Sequence, residues 1–164
     1  MVQKQSNQKG IKKTKQKIDY LEKKYIAIDP GKSGGIAILN EDNIEAYKCP
    51  PTFKEMSDLI KSKIDDSYSC ILEKVHAFPT DARSSAFKFG MNYGIWIGIL
   101  ESNNINYELV MPRVWQKDFG LPKNKKERKQ ELKTIAKGFY QKTTLYTADA
   151  ICMAIWKRAN DERK

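Results

Sequence analysis

Three acidic residues lie at the ends of apolar segments or inside one, and these positions make them the strongest candidates for chemistry. Asp29 ends the run of residues 25–28, Glu73 ends a second run, and Asp149 lies within a third apolar segment. Carboxylates that converge repel one another unless a cation lies between them. Mg²⁺ prefers such oxygen ligands, and two bound ions would activate a water and stabilise the leaving oxygen of a phosphodiester. We therefore predict that Asp29, Glu73 and Asp149 bind metal and support phosphodiester hydrolysis.

Each of these acids also has a simpler interpretation, in which it caps a helix or pairs with a neighbouring lysine. For any one acid alone, the simpler interpretation is the better one. Three carboxylates brought together are costly to maintain without a function. Their joint placement therefore favours the metal site.

Five predicted strands and four predicted helices position the acids. Strands are predicted at residues 25–29, 35–39, 44–49, 68–72 and 107–111, and helices at about 52–64, 83–102, 125–140 and from 147 onwards. Tight turns join the first three strands, which predicts an antiparallel meander. The fourth strand can lie parallel to the first, so that Asp29 and Glu73 meet at one edge of the sheet. The order of elements predicts an α/β fold with an antiparallel half and a parallel half.

The charge of the chain is segregated. The formal net charge is +10, yet residues 1–25 hold eight lysines against two acids, and residues 112–142 hold ten basic residues against three acids. The other residues are net acidic. A lysine-favouring, AT-rich genome would raise the total but would not segregate it. The pattern predicts an acidic centre flanked by surfaces that bind a polyanion. We interpret residues 1–24 as a flexible basic arm that adds DNA affinity, and residues 25–164 as one folded domain.

Cysteine placement and hydropathy indicate an intracellular protein. Cys49, Cys70 and Cys152 lack the paired spacing of a zinc or redox site, and Cys70 and Cys152 are predicted to be buried thiols. The N-terminal residues lack a secretory apolar stretch, and the longest apolar run is too short to cross a membrane. We expect a protein that is neither secreted nor membrane-bound, in the cytoplasm of a bacterium or a phage-infected host. An organelle is a further setting, although the arm contains no arginine.

The longest predicted helix carries a stripe of small residues, Ala86, Gly90, Gly94 and Gly98, spaced four apart. Glycines weaken a helix, so such a stripe indicates close contact with another backbone. The first interpretation is contact with the sheet of the same subunit. The alternative is contact with the matching helix of a second copy.

The basic segment provides the predicted phosphate-binding residues. Its cations precede or open a helix, where backbone N–H groups and positive side chains both favour phosphate. Lys133 and Lys137 are interpreted as a solvated face, and Trp115 as a packing residue. Lys32 and Ser33, in the turn next to Asp29, either contact phosphate or form a simple polar turn. The predicted DNA-binding residues are therefore Lys32, Ser33, Arg113, Lys123, Lys125, Lys126, Arg128 and Lys129.

Five segments of the chain match the sequence motifs of one protein family, and they occur in the matching order along the chain. They are Ile28-Asp29-Pro30-Gly31 with Gly34-Gly35-Ile36-Ala37, Leu72-Glu73-Lys74-Val75-His76, residues 82–98, residues 111–117, and Ala148-Asp149-Ala150. Together they resemble RuvC-type Holliday junction resolvases, and residues 111–117 are similar to a segment of the phage-type members. The resemblance spans residues 25–157. The opening motif also resembles the phosphate loop of actin-like ATPases, but the chain lacks a second such loop and an adenosine pocket, so no nucleotide cofactor is expected.

The resemblance implies a ribonuclease-H-like fold, with a five-stranded mixed sheet of three antiparallel and then two parallel strands flanked by helices. It implies a homodimeric, Mg²⁺-dependent crossover junction endodeoxyribonuclease, with two ions per site and with Mn²⁺ as a substitute. Such an enzyme acts on branched DNA in recombination, repair or resolution of replicated genomes, and makes paired nicks that leave 5′-phosphates. Asp29, Glu73 and Asp149 match the family's ligands. A lysine at position 125 or 126 matches one that approaches the scissile phosphate.

One departure from the family pattern concerns the second metal site. Bacterial members usually carry a further acid one helical turn before the closing aspartate, where this chain has Leu145-Tyr146-Thr147. His76 is either an additional metal ligand, a residue that stacks on junction bases, or a structural residue. The departure leaves an alternative function, a junction-binding protein of the same fold that is catalytically weak or inactive. The sequence leaves open the preferred cleavage sequence and the discrimination against flaps, forks and RNA-containing branches.

Overall fold

The structure is a computed structural model that describes residues 23–65, 67–76 and 82–163. The predicted basic arm, residues 1–24, lies outside the described residues except for its last two positions. The strands are β1 Lys24–Asp29, β2 Gly35–Asn40, β3 Asn43–Lys48, β4 Tyr68–Glu73 and β5 Tyr107–Val110. The helices are α1 Phe53–Lys63, α2 Arg83–Ser102, α3 Pro112–Gln116, α4 Lys125–Phe139 and α5 Ala148–Asp161, and a 3-10 turn, Lys117–Phe119, follows α3.

The five strands form one mixed sheet in the order β3-β2-β1-β4-β5. β1 pairs antiparallel with β2, and β2 pairs antiparallel with β3. β1 pairs in parallel with β4, and β4 in parallel with β5. The predicted fold class is confirmed, with an antiparallel half, a parallel half and β1 at the junction of the two. Because Ile28 is in register with Leu72, the two strands end side by side at Asp29 and Glu73.

Both faces of the sheet are covered, so its central strands are buried on both sides. Tyr25 and Ala27 of β1 face a core shared with α4 and α5, whereas Ile26 and Ile28 face a second core shared with α1 and α2. This alternation follows from the two-residue period of a strand. It also explains why β1 reads as a continuous apolar run, as expected for a strand covered on both faces.

Local signals fixed most helix boundaries. The side chain of Thr52 accepts a hydrogen bond from the backbone of Glu55, whose own side chain accepts one from the Thr52 N–H, so α1 begins with a capping box at the predicted start of the helix. Helix α2 has the predicted limits. The short helix α3 was not predicted, because five residues are too few to show a helical period. Pro112 occupies its first position, which suits the fixed φ of proline.

The glycine stripe on α2 does not contact the sheet, and the first interpretation of it was wrong. A Cβ atom added at Gly90, Gly94 or Gly98 would meet no heavy atom of the described residues within 4 Å. The helix instead packs against the sheet with larger side chains, including Trp96 and Leu100, which are fully buried. The small residues therefore lie on the exposed side of α2.

The three cysteines are free thiols buried in the two cores, as predicted for Cys70 and Cys152. Burial raises the pKa of both of these thiols to about 12. Within the described part of the chain, no helix is both long enough and apolar enough to cross a membrane.

Candidate active site

Three separate elements bring the predicted acids to one cleft. Asp29 and Glu73 end the adjacent parallel strands β1 and β4, and Asp149 lies in the first turn of α5, which packs against β1 and β2. Two glycines permit this close approach. A Cβ atom at Gly34 would lie 2.0 Å from the carbonyl oxygen of Asp29, and one at Gly35 would lie 2.5 Å from that of Tyr146. The glycine pair is therefore a steric requirement of the site.

The cleft has a volume of about 620 Å³, and it contains charged groups of both signs. Asp29, Glu73 and Asp149 lie on its acidic side. The turn after β1, the segment after β4, the end of α3 and helix α4 supply the other polar groups, namely Lys32, Ser33, Lys74, His76, Gln116, Lys125, Arg128 and Lys129. A cleft of this composition is suited to holding a phosphate group next to bound cations.

The three carboxyl groups perturb one another. Asp29 retains slight exposure to the cleft, but protein atoms surround its carboxyl group, and this burial raises its pKa well above the usual value, with further increases from Glu73 and Asp149. Burial raises the pKa of Glu73 to about 7. Burial also raises the pKa of Asp149, whereas Lys129 and Arg128 oppose the shift. A cluster of this kind is unfavourable in its fully ionised form without a cation.

Two further observations bear on whether these residues fit a divalent metal. Oδ1 of Asp149 is buried and lacks a hydrogen-bond partner within the part of the chain that the structure describes. In the present side-chain conformations, no group of three or more His, Cys, Asp and Glu residues among those described is arranged to hold a metal ion. Three carboxyl groups on one cleft, one of them with a buried oxygen that lacks a partner among the described residues, are donors of the kind that Mg²⁺ prefers.

Trp115 contacts the acidic cluster directly, a role that the sequence did not reveal. The residue is fully buried, as predicted for a packing residue, and its ring lies edge-on to Phe119. Its indole Nε1–H also donates a hydrogen bond to Oε1 of Glu73 at 2.9 Å. This bond fixes the orientation of the Glu73 carboxylate. Because the two residues are 42 positions apart, no local pattern could have shown the contact.

The structure separates the predicted DNA-binding residues into two groups. Lys32, Ser33, Lys125, Arg128 and Lys129 line the cleft. The exposed residues Arg113, Lys123 and Lys126 lie outside its lining. Between the two lysines that the sequence left open, this placement favours Lys125 as the one that approaches a phosphate in the cleft.

Lys129 has a stronger connection to the acids than the sequence indicated. Its positive charge lowers the pKa of Asp29, Glu73 and Asp149, which places it electrostatically at the centre of the site. Two of the N-terminal amides of α4 are already hydrogen-bonded within the protein. Asn124 caps the helix, and its side chain accepts hydrogen bonds from the N–H groups of Lys126 and Glu127. The cations of α4, more than its backbone, are therefore available to a phosphate.

His76 and Tyr146 occupy different positions relative to the cleft. His76 is exposed and lines the cleft, so its three interpretations all stay predictions. Tyr146, at the position of the missing acid, lies outside the lining, and Nζ of Lys48 is 4.2 Å from the centroid of its ring. A cation–π contact thus stands where a further carboxylate would have been expected.

A scan against protein-family models and a search of curated proteins gave no match. Solved structures do match. The structure of T. thermophilus RuvC in complex with Holliday junction substrate is 14% identical and has a TM-score of 0.56, over 81% of this chain and 91% of that one. A structure of Thermus thermophilus RuvC is 17% identical over 81% of this chain and 92% of that one, but its TM-score of 0.48 is too low to support an argument. The chain has the RuvC fold, a ribonuclease-H-like arrangement, as its motifs predicted.

Proposed function

We propose that this protein is a metal-dependent endonuclease that resolves four-way DNA junctions. The observation that carries the proposal is the meeting of Asp29, Glu73 and Asp149 in one cleft that is bordered by the cations of α4. The fold supports it, because the RuvC structure with this fold was solved with a Holliday junction substrate. Such an activity would serve recombination, or the repair and resolution of branched DNA.

The residues of the cleft take distinct roles in this proposal. Asp29, Glu73 and Asp149 would hold two Mg²⁺ ions, or Mn²⁺ in their place. When bound, the metal supplies Lewis acidity toward the phosphodiester and lowers the pKa of a water. Trp115 holds the Glu73 carboxylate in one orientation through its indole N–H. The cations of α4, among them Lys125 and Lys129, bind the DNA phosphates near the acids, because unneutralised phosphates would be repelled by the cluster.

The exposed side of α2 supports a homodimer. Phe87 is 71% exposed and Met91 is 44% exposed, and both share this side with the open glycine stripe. An apolar helix face with small residues permits a second helix to pack closely against it. A homodimer would present two clefts to one junction, and paired nicks require two active sites.

The dimer is tested by filling the glycine stripe. Because an added Cβ atom at Gly94 meets no heavy atom of the described residues within 4 Å, Gly94→Leu should leave the monomer folded and block close helix packing. Gly138→Leu, on α4, is a matched control because Gly138 is also open. Light scattering at micromolar concentration should give twice the subunit mass for the wild type and the control, and a lower mass for Gly94→Leu. A wild-type mass near one subunit would exclude the dimer at that concentration.

The activity is tested by incubating a labelled four-way junction with Mg²⁺, next to linear duplex and a three-way flap. We expect paired nicks with 5′-phosphates in the junction, and their loss in Asp29→Asn. The alternative function, junction binding with little or no cleavage, is favoured by the placement of Tyr146 where bacterial members have an acid. Tight, salt-sensitive binding without cleavage in either Mg²⁺ or Mn²⁺ would support that alternative.

A further inference from the structure

Asn92 of α2 reaches the chain segment that follows the first catalytic acid. Its Oδ1 accepts a hydrogen bond from the Gly31 N–H at 2.7 Å, although the two residues are 61 positions apart. Its Nδ2 lies 3.8 Å from Sγ of Cys49, at the end of β3. One side chain therefore connects α2 to two separate segments beside the cleft.

The segment that Asn92 holds is the Asp29 turn, defined here as residues 29–34. Within it, the Gly34 N–H donates to the Gly31 carbonyl at 3.0 Å, and the Gly34 carbonyl accepts from the Cys49 N–H at 3.0 Å. Gly31 has a φ of 110°, a conformation that favours glycine, and a Cβ there would lie 2.9 Å from the ring of Phe89. Phe89 and Asn92 thus hold Gly31 from the same side, one by contact and one by hydrogen bond.

Displacement of this turn would move both the residue at its start and the residues at its tip. Asp29 stands at its start and faces Glu73 and Asp149, whereas Lys32 and Ser33 are exposed at its tip and line the cleft. No secondary-structure ladder fixes residues 30–34, because β1 ends at Asp29 and β2 begins at Gly35. The bond from Asn92 is therefore one of few that define where the turn lies.

The exposed apolar side of helix α2 lies opposite the side that carries Asn92. At 100° per residue, Phe87, Met91, Gly94 and Gly98 lie about half a turn around the helix from Phe89, Asn92 and Trp96. One side of α2 holds the Asp29 turn and the other is the exposed apolar side. One helix therefore carries both the residues that hold the Asp29 turn and the apolar side that a partner would contact.

We propose that Asn92 is a positioning residue that transmits the placement of helix α2 to the Asp29 turn. It sets where Asp29 stands relative to the other two carboxylates, and where Lys32 and Ser33 meet a phosphate. It does not touch the reacting atoms. The proposal rests on the proposed function, since it concerns the metal ligands of that site.

The experiment compares three variants of the full chain. Asn92→Leu keeps the approximate size and removes the acceptor. Asn92→Asp keeps an oxygen acceptor for the Gly31 N–H and serves as the conservative rescue. Asn103→Ala is the matched control, because this second asparagine bonds the Ile99 carbonyl and Ser102 at the far end of α2, away from the cleft. Each is measured for single-turnover cleavage, for junction Kd with Ca²⁺, for Mn²⁺ affinity by calorimetry without DNA, and for Tm.

We expect Asn92→Leu to lower the cleavage rate about 10-fold or more, since small misplacements of reacting groups have large effects on rate. Its Mn²⁺ affinity should fall about 3- to 10-fold, its junction Kd should change less than about 2-fold, and Asn92→Asp should recover most of the rate. Unchanged rate and Mn²⁺ affinity in Asn92→Leu, or an equal loss in Asn103→Ala, would overturn the proposal.

The role of Asn92 can still be tested if the leucine variant does not fold or if the wild type does not cleave. If Asn92→Leu fails to fold, Asn92→Ser takes its place, since a serine is too short to reach the Gly31 N–H but leaves no bulky group in the core. If the wild type cleaves no junction, the proposed function fails, and the Mn²⁺ titration alone then decides the role of Asn92. Equal Mn²⁺ affinity in the wild type and the variant would reject that role, whereas a loss confined to Asn92 variants without the acceptor would support it.

Discussion

The two walls of the cleft are built from different kinds of structure. On one wall, Asp29 and Glu73 end adjacent central strands that are covered on both faces. On the other, Lys125, Arg128 and Lys129 extend from α4, a helix whose N-terminal half is largely exposed. The acids are held by backbone register, by burial and by the side chains that contact their segments, Trp115 at Glu73 and Asn92 at the Asp29 turn. The cations are held by one amphipathic helix. We infer that the first wall determines the rate of chemistry and the second determines affinity for DNA.

The largest expected effect comes from the acidic wall. Asp29→Asn, Glu73→Gln and Asp149→Asn should each lower single-turnover cleavage by on the order of 1,000-fold or more, because each removes an anionic ligand. Junction affinity in Ca²⁺ should stay within a few-fold of the wild type. A variant that lost binding as strongly as cleavage would contradict the inference that the two walls have separate roles in rate and affinity.

A smaller effect should follow from removing a single donor behind the acidic wall. Trp115→Phe keeps an aromatic ring in the core but removes the hydrogen bond to Glu73, and cleavage should fall about 10- to 100-fold, as is usual for residues that orient metal ligands. Trp156→Phe is the matched control, since its Nε1 donates to Asp118, which does not line the cleft. Equal rates in these two variants would show that the Glu73 bond is not needed.

The stability of the metal-free protein should reveal the cost of the acidic wall. Because burial raises the pKa of Glu73 from 4.5 to about 7, the folded state holds more protons than the unfolded state across that range. Its contribution to the free energy of unfolding therefore decreases as pH rises from about 4.5 to about 7. Glu73→Gln should stabilise the protein by about 1–3 kcal/mol at pH 7.5 in EDTA, and by less at pH 5.

Thermal denaturation at the two pH values, with and without Mg²⁺, measures this difference. Glu131→Gln provides the control, since Glu131 is exposed on α4. Mg²⁺ should stabilise the wild type more than Glu73→Gln. A stability difference that does not depend on pH would mean that ionisation of Glu73 is not what destabilises the fold.

The smallest expected effect distinguishes two neighbours on the cationic wall. Lys125 and Lys126 are both exposed in the first turn of α4, but only Lys125 lines the cleft. Lys125→Ala should weaken junction binding about 3- to 10-fold and lower the slope of log K against log salt by about 1. Lys126→Ala should change both less. The reverse order would show that the cleft surface does not mark the path of the DNA.

The sequence predicted the sheet and the acidic residues because their signals are local. The strand limits followed from apolar runs, and Thr52 marked the start of α1. The contacts that orient the site were not predictable, since Trp115 meets Glu73 and Asn92 meets Gly31 across long stretches of chain. The glycine stripe was misassigned for a related reason. Its spacing shows that one face of the helix carries small side chains, but it does not show which neighbour packs against that face.

The parallel pairing of β1 with β4, and the packing of α5 against β1, also determine when the site can exist during synthesis. Asp29 lies on the first strand and Asp149 on the helix that follows every strand of the sheet. A ribosome must therefore release α5 before the three carboxylates can meet, which agrees with the general tendency of a domain to fold as one unit. A nascent or truncated chain that lacks α5 would have two of the acids and no complete site. Any activity that needs all three carboxylates would therefore be confined to the completed fold.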